Sequence, residues 1–116
     1  MGFRFKNFKV YQDAKDFCKF CREILDKQIT DKDLAGQIRR ALNSVVLNIA
    51  EGSADNSDIE FARFLGISIR SVYEVVAGFD LALHYKMIDD KLNIAVENKA
   101  EELVKQLSGF RSSLKS

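Results

Sequence analysis

Apolar residues recur along this chain every three or four positions, not every two. Val10, Ala14, Phe17, Cys21 and Ile24 stand at gaps of 4, 3, 4 and 3, which places them on one face of an α-helix. With Asn7 as the expected N-cap, the spacing predicts a first helix over about 8–29. Thr30-Asp31-Lys32-Asp33 offers a cap and first-turn acids, and a second helix is predicted over 32–51. Its apolar row is Leu34, Ile38, Ala41 or Leu42, Val45 and Ile49, with Gly52 as the expected stop. Ser53 to Asn56 reads as a turn. Ser57-Asp58-Ile59-Glu60 fits the capping box, in which the serine hydroxyl and the glutamate satisfy each other's backbone N–H groups, and opens a long helix over 58–86. Asp89-Asp90 then begins a fourth helix over 90–114. There Leu92, Val96, Ala100, Leu103, Leu107, Phe110 and Leu114 form a near-heptad seam, roughly 35 Å long at 1.5 Å per residue.

Connections this short force neighbouring helices to run in opposite directions. The expected fold class is therefore all-α, an antiparallel up-down-up-down four-helix bundle in a single domain spanning residues 1–116. Composition agrees: six glycines and no proline among 116 residues leave too little turn chemistry for a sandwich or barrel. Gly36, Gly66 and Gly78 fall inside predicted helices. Each costs about 1 kcal/mol against alanine there, so each is expected where a neighbouring helix approaches closely.

The two middle helices carry more apolar residues than a bundle core requires. Ten of the 17 residues from Leu34 to Ala50 are apolar, and 17 of the 27 from Ile59 to Tyr85, whereas a surface helix needs only a stripe about 100° wide. The excess predicts a second buried face, with another copy of the chain as its natural partner.

Charge is nearly balanced, 18 Lys and Arg against 17 Asp and Glu, which does not announce a strongly basic nucleic-acid binder. The distribution is uneven: residues 1–30 and 91–116 are net basic and the middle is net acidic. Met1-Gly2-Phe3-Arg4-Phe5-Lys6 lacks the apolar region of a signal peptide and has Lys6 where a myristoylation signal needs Ser or Thr. With no apolar run approaching the ~20 residues of a membrane span, a soluble, cytoplasmic protein is expected.

Most catalytic and metal-binding constellations fail on inventory. Cys18-Lys19-Phe20-Cys21 is formally C-x-x-C, but no third cysteine and only His84 are available to complete a zinc site, and a thioredoxin-type motif needs a strand-to-helix junction. The two cysteines are expected to pack as small hydrophobes. Asp80 stands one turn before His84 and within reach of it, without a third member for a catalytic triad. A di-iron bundle needs two Glu-x-x-His motifs, and Leu81 precedes the single histidine by three. Asp55-Asn56-Ser57-Asp58 resembles the start of a calcium loop, but Glu60 replaces the glycine and Gly66 the bidentate glutamate. Neither glycine-rich phosphate-binding motif is present. No enzymatic activity, cofactor, metal or small-molecule substrate is expected.

One polar pattern survives. Gln37, Arg40, Ser44, Asn48 and Glu51, at gaps of 3, 4, 4 and 3, make a polar stripe on an otherwise apolar second helix, and Ser71 and Glu74 stand three apart on the third. Antiparallel packing brings the two middles together, so Arg40 or Asn48 is expected to meet Glu74 in a partly buried network that fixes register or a subunit interface. Loss of a carboxylate buried against arginine would cost about 3–5 kcal/mol.

The same residues carry a resemblance. Gln37-Ile38-Arg39-Arg40-Ala41 through Ser44, Asn48-Ile49-Ala50-Glu51-Gly52, Glu60-Phe61-Ala62-Arg63-Phe64-Leu65 and Ser71-Val72-Tyr73-Glu74 resemble the signature of bacterial four-helix bundle proteins encoded in intervening sequences of 23S ribosomal RNA genes. Phe8-Lys9-Val10-Tyr11-Gln12-Asp13-Ala14 is similar to that family's opening, so the likeness runs nearly end to end. Gly66-Ile67-Ser68-Ile69-Arg70 departs from it, the family often having an alanine and a glycine just before the serine. The resemblance implies a homo-oligomer, often a ring-shaped homopentamer, with no established enzymatic activity. It also implies a relation to the accessory variability determinant of diversity-generating retroelements, a basic pentameric barrel that binds a reverse transcriptase and nucleic acid. RNA or a protein partner is the corresponding expectation, with Arg4, Lys6, Lys9, Lys15, Lys19, Lys91, Lys99 and Lys105 as the candidate nucleic-acid patch across assembled copies.

Overall fold

A computed structural model describes residues 2–54 and 57–114, and over them the chain is all-α, without strands. A single 3₁₀ turn, Arg4–Asn7, precedes α1 (Lys9–Gln28), α2 (Lys32–Ser53), α3 (Asp58–His84) and α4 (Asp90–Ser113). The molecule is elongated, 45 × 24 × 20 Å. Each helix packs on its neighbours in sequence, and α1 also packs on α4, so the four surround one core.

The apolar rows account for that core. Val10, Ala14, Phe17, Cys21 and Ile24 from α1, Ile38, Leu42, Val45 and Ile49 from α2, and Val96, Ala100, Leu103 and Leu107 from α4 are all buried. From α3, Phe61, Leu65, Val72, Val75 and Phe79 join them. Capping residues fix three of the four starts. Asp31 accepts from the Leu34 N–H at 3.1 Å, Ser57 from Glu60 at 3.3 Å, and Asp89 from Leu92 at 2.8 Å, each satisfying a donor that the first turn leaves orphaned. The expected cap at Asn7 is not used. Asn7 closes the 3₁₀ turn and Phe8 holds the N-cap position without a side-chain bond, its ring instead packing on Phe61 and Phe110 at 6.2 and 5.3 Å between centroids.

The closest helix pair is α2 and α3. Ile38 lies against Gly78, Ser44 against Ser71, Val45 against Ser68 and Gly52 against Phe61; numbers rise on one helix as they fall on the other, so the two run in opposite directions. Small residues allow this approach. A Cβ on Gly78 would stand 2.5 Å from Ile38 Cγ1, and one on Gly52 would stand 2.7 Å from Phe64 Cβ. Gly52 is thus a contact residue inside α2 and does not end it; the helix continues to Ser53. The expectation of close neighbours holds at Gly78 and, against the Arg111 guanidinium, at Gly66, but Gly36 has nothing within 4 Å. The turn expected over Ser53–Asn56 begins only after Ser53; Asp55 and Asn56, with the calcium-like start they contribute to, lie outside the described residues.

α3 ends at His84, two residues before its expected limit. Met87 N–H donates to Ala82 O and Lys86 N–H to Leu83 O, both at 2.9 Å, the paired bonds of a Schellman closure. Its left-handed position is filled by Lys86, φ 63°, where glycine is the favoured residue.

Two substitutions separate these glycines by sign. Gly78→Ala is expected to destabilise the fold by about 1–3 kcal/mol through overpacking, and Gly36→Ala to stabilise it by about 1 kcal/mol, both read from denaturant midpoints. Lys86→Gly should add about 0.5–1 kcal/mol by relieving the left-handed backbone; a lowered midpoint would refute the Schellman assignment.

Candidate interaction surface

The polar stripe lies along the outer edge of the α2–α3 contact, and only part of it becomes a network. Ser44 Oγ and Ser71 Oγ are 2.7 Å apart, Asn48 Nδ2 donates to Ser44 Oγ and to Ser44 O at 2.9 and 2.8 Å, and Ser71 Oγ lies 3.0 Å from Ile67 O. One turn away, Ser68 is fully buried and donates to Val45 O at 2.7 Å, a cross-helix bond that the stripe pattern did not single out. Its signal in the sequence was a lone serine among Ile67, Ile69 and Val72. Gln37, Arg40, Glu51 and Glu74 are exposed. Neither Arg40 nor Asn48 meets Glu74: Arg40 and Glu74 are exposed, Asn48 turns to Ser44, and Ser44 and Ser71 bridge the contact alone. Gln37 and Glu74 instead flank a shallow cleft of about 160 Å³ floored by Ile38 and Gly78.

All eight residues of the candidate basic patch are exposed, and five of them have partners within the chain. Arg4 donates to Ser53 O at 2.9 and 3.1 Å, and its guanidinium carbon lies 5.6 Å from the centre of the Phe61 ring. It closes the C-terminus of α2, where carbonyls lack intrahelical partners. Lys9 pairs with Asp13 at 2.6 Å; that bond, together with one from Gln106 at 2.8 Å, holds the Asp13 carboxyl below its ordinary range. Lys15 and Lys99 sit over the Tyr11 and Phe20 rings at 5.0 and 4.8 Å, and Lys105 is 4.0 Å from Glu102. Lys6, Lys19 and Lys91 are exposed. Asp13 meets Gln106 and Phe20 meets Lys99, so α4 runs opposite to α1, and Lys9 and Lys91 stand near opposite ends of the bundle, about 28 Å apart along the axis at 1.5 Å per residue.

Neither cysteine is set up for chemistry. Cys21 is fully buried, and half-buried Cys18 donates its thiol to Leu42 O at 3.1 Å. Burial pushes the Cys18 thiol up to about 12 and the Cys21 thiol higher still, so both stay protonated at neutral pH and lack the thiolate that redox and metal chemistry need. His84 is exposed, its ring 6.0 Å from that of Tyr85, and forms no hydrogen bond with Asp80. Among the described residues no group of three or more His, Cys, Asp or Glu is gathered to hold a metal ion, and no helix is long and apolar enough to cross a membrane.

Large hydrophobic side chains remain outside the core. Leu47, Ile59, Tyr73, Tyr85 and Ile94 are between 55% and 66% exposed, and Leu81 41%. Two of these side chains line grooves: Tyr73 one of about 470 Å³ between α3 and α4, with Val76, Val104, Glu97, Glu101 and Lys105, and Leu47 one of about 680 Å³ between α1 and α2, with Val46, Lys15, Lys19, Arg22, Glu23 and Asp26.

Comparison with known proteins fits this architecture. The family described as 23S rRNA-intervening sequence protein matches residues 6–109. A crystal structure of a protein with unknown function from the S23 ribosomal protein family of Bacteroides thetaiotaomicron superposes with a TM-score of 0.78 at 20% identity, covering 92% of this chain and 99% of that one. At that identity the likeness concerns the fold. No curated protein matches the sequence.

With Glu74 exposed, Glu74→Ala should change the stability of the isolated chain by no more than about 0.5 kcal/mol; a loss of several kcal/mol would restore the buried pair. In iodoacetamide labelling at pH 8, both thiols of the folded chain should react far more slowly than after denaturation. Prompt labelling of the native protein would refute their protonated, shielded state.

Proposed function

The chain belongs to the 23S rRNA-intervening sequence protein family, and from that premise we propose that it is a non-enzymatic interaction or accessory protein that works as a ring-shaped homo-oligomer. The protomer in this reading is an up-down-up-down bundle, a single domain spanning the chain, and the family resemblance favours five copies. One observation carries the assembly: a small bundle with a complete core still leaves Leu47, Tyr73, Ile94 and Leu81 between 41% and 66% exposed, more apolar surface than a solitary domain of this size has reason to present. The protonated thiols support the non-enzymatic part, and the charge balance suits copies packing together. We place the protein in the cytoplasm.

The alternative is an RNA- or DNA-binding accessory module acting with a reverse transcriptase or an RNA-processing complex. Exposed Lys6, Lys19 and Lys91 favour it only if assembly brings them into register, since within one chain the lysines are dispersed and partly paired.

Molar mass measured by light scattering across a dilution series, with and without RNA and at two salt concentrations, tests both. The expected result is a constant multiple of 13.2 kDa that RNA does not change. A single-chain mass at every concentration would overturn the assembly. RNA binding that weakens steeply and log-linearly with salt would put the nucleic-acid reading first.

A further inference from the structure

We propose that the subunit contact is heterologous: the α3–α4 groove of one copy receives the α1–α2 face of the next. This rests on the oligomeric reading above and names the surfaces it uses. α1 packs on α2 and α4 but not on α3, and α2 does not pack on α4. The helices therefore follow one another around the core, and the α1–α2 and α3–α4 faces lie on opposite sides of the bundle.

The two faces complement each other in shape and sign. The α3–α4 groove has an apolar floor of Val76 and Val104 beside Tyr73, which is 66% exposed, and its rim carries Glu97 and Glu101 against one lysine, Lys105. Opposite, Leu47, 56% exposed, stands with Val46 beside a rim of Lys15, Lys19 and Arg22. Two acids, Glu23 and Asp26, share that rim, but Asp26 is already paired with Arg39 at 2.6 Å, leaving the face net basic. Among the described residues Lys19 and Glu101 have no ionic partner. Placed against its own copy, each groove would meet its predominant charge with more of the same sign, so a two-fold contact through either is less favourable than the joining of opposite faces. Joining opposite faces generates a repeating contact, which closes into a ring when the rotation between copies permits.

Charge reversal tests this. Glu97→Lys with Glu101→Lys, and separately Lys15→Glu with Lys19→Glu, are expected to reduce the molar mass to that of one chain, while thermal unfolding still shows a folded bundle. All four substitutions in one chain, or an equimolar mixture of the two doubles, should restore a larger species, because opposite charges then face each other again. Leu47→Asn and Tyr73→Asn, which leave every charge in place, should each weaken assembly at least tenfold in the dilution midpoint. A wild-type oligomer whose mass survives both double reversals and both asparagine substitutions would overturn this contact while leaving the oligomeric reading intact. A wild-type chain that is monomeric throughout would overturn both.

Discussion

The close contact between α2 and α3 is the constraint on which the rest of the bundle depends. Helix axes approach this closely only where side chains are small, and here glycine stands at both ends of the contact, Gly52 and Gly78, with Ala41, Ser44, Ser68 and Ser71 between. Each glycine leaves a notch that a large side chain of the other helix fills, Ile38 at Gly78 and Phe61 with Phe64 at Gly52, and because dispersion falls off steeply with separation this close fit is itself stabilising. The serines then find partners across the gap: Ser68 reaches Val45 O and Ser71 reaches Ser44. Hydroxyls that would be costly to bury alone become bonds that fix the longitudinal register. Ile38, seated in the Gly78 notch, and the buried Val45, Val72 and Phe79 join the core that α1 and α4 complete.

A second device secures one end. Phe61 and Phe110 pack edge to face at 5.1 Å between centroids, Phe8 joins both, and Arg4 lies over two of the rings while bonding Ser53 O. This ties the turn before α1 to the end of α2, the start of α3 and the end of α4. The guanidinium suits the place because it offers several donors to a bare helix terminus and a flat cation to aromatic faces. A residue that reads in sequence as one charge of a basic patch is, in the fold, a cap.

Helix identity, the core stripes and the three side-chain caps were legible in the sequence because each follows from local spacing: a 3.6-residue period, or an acceptor three residues before its donor. The legible part of the polar stripe was its line along α2, but which members would meet was not. That depended on how closely α2 and α3 approach: the sequence predicts a close neighbour at Gly78, but Gly52, the contact at the other end, reads in sequence as a helix stop. Two hydroxyls, Ser44 and Ser71, span the contact, while Arg40 and Glu74 stay exposed. Ser68 was passed over for the complementary reason: it belongs to no polar stripe, and its partner is a backbone carbonyl on another helix.

A chain near zero net charge has weak electrostatic repulsion between copies, yet its charges are not evenly mixed. The termini are basic because α1 and α4 carry most of the lysines, while Glu97, Glu101 and Glu102 interrupt that trend in the middle of α4. Folding separates these groups, turning Lys15 and Lys19 toward the α1–α2 face and Glu97 and Glu101 toward the α3–α4 face. Neutrality of the whole is thus compatible with two faces of opposite sign, each beside exposed apolar side chains. Charge at the rim of such a face contributes less to affinity than to choosing the partner and its orientation, whereas the desolvated apolar centre supplies most of the binding energy. In the proposed contact, Leu47 and Tyr73 would therefore set whether copies adhere, and the lysines and glutamates which face meets which.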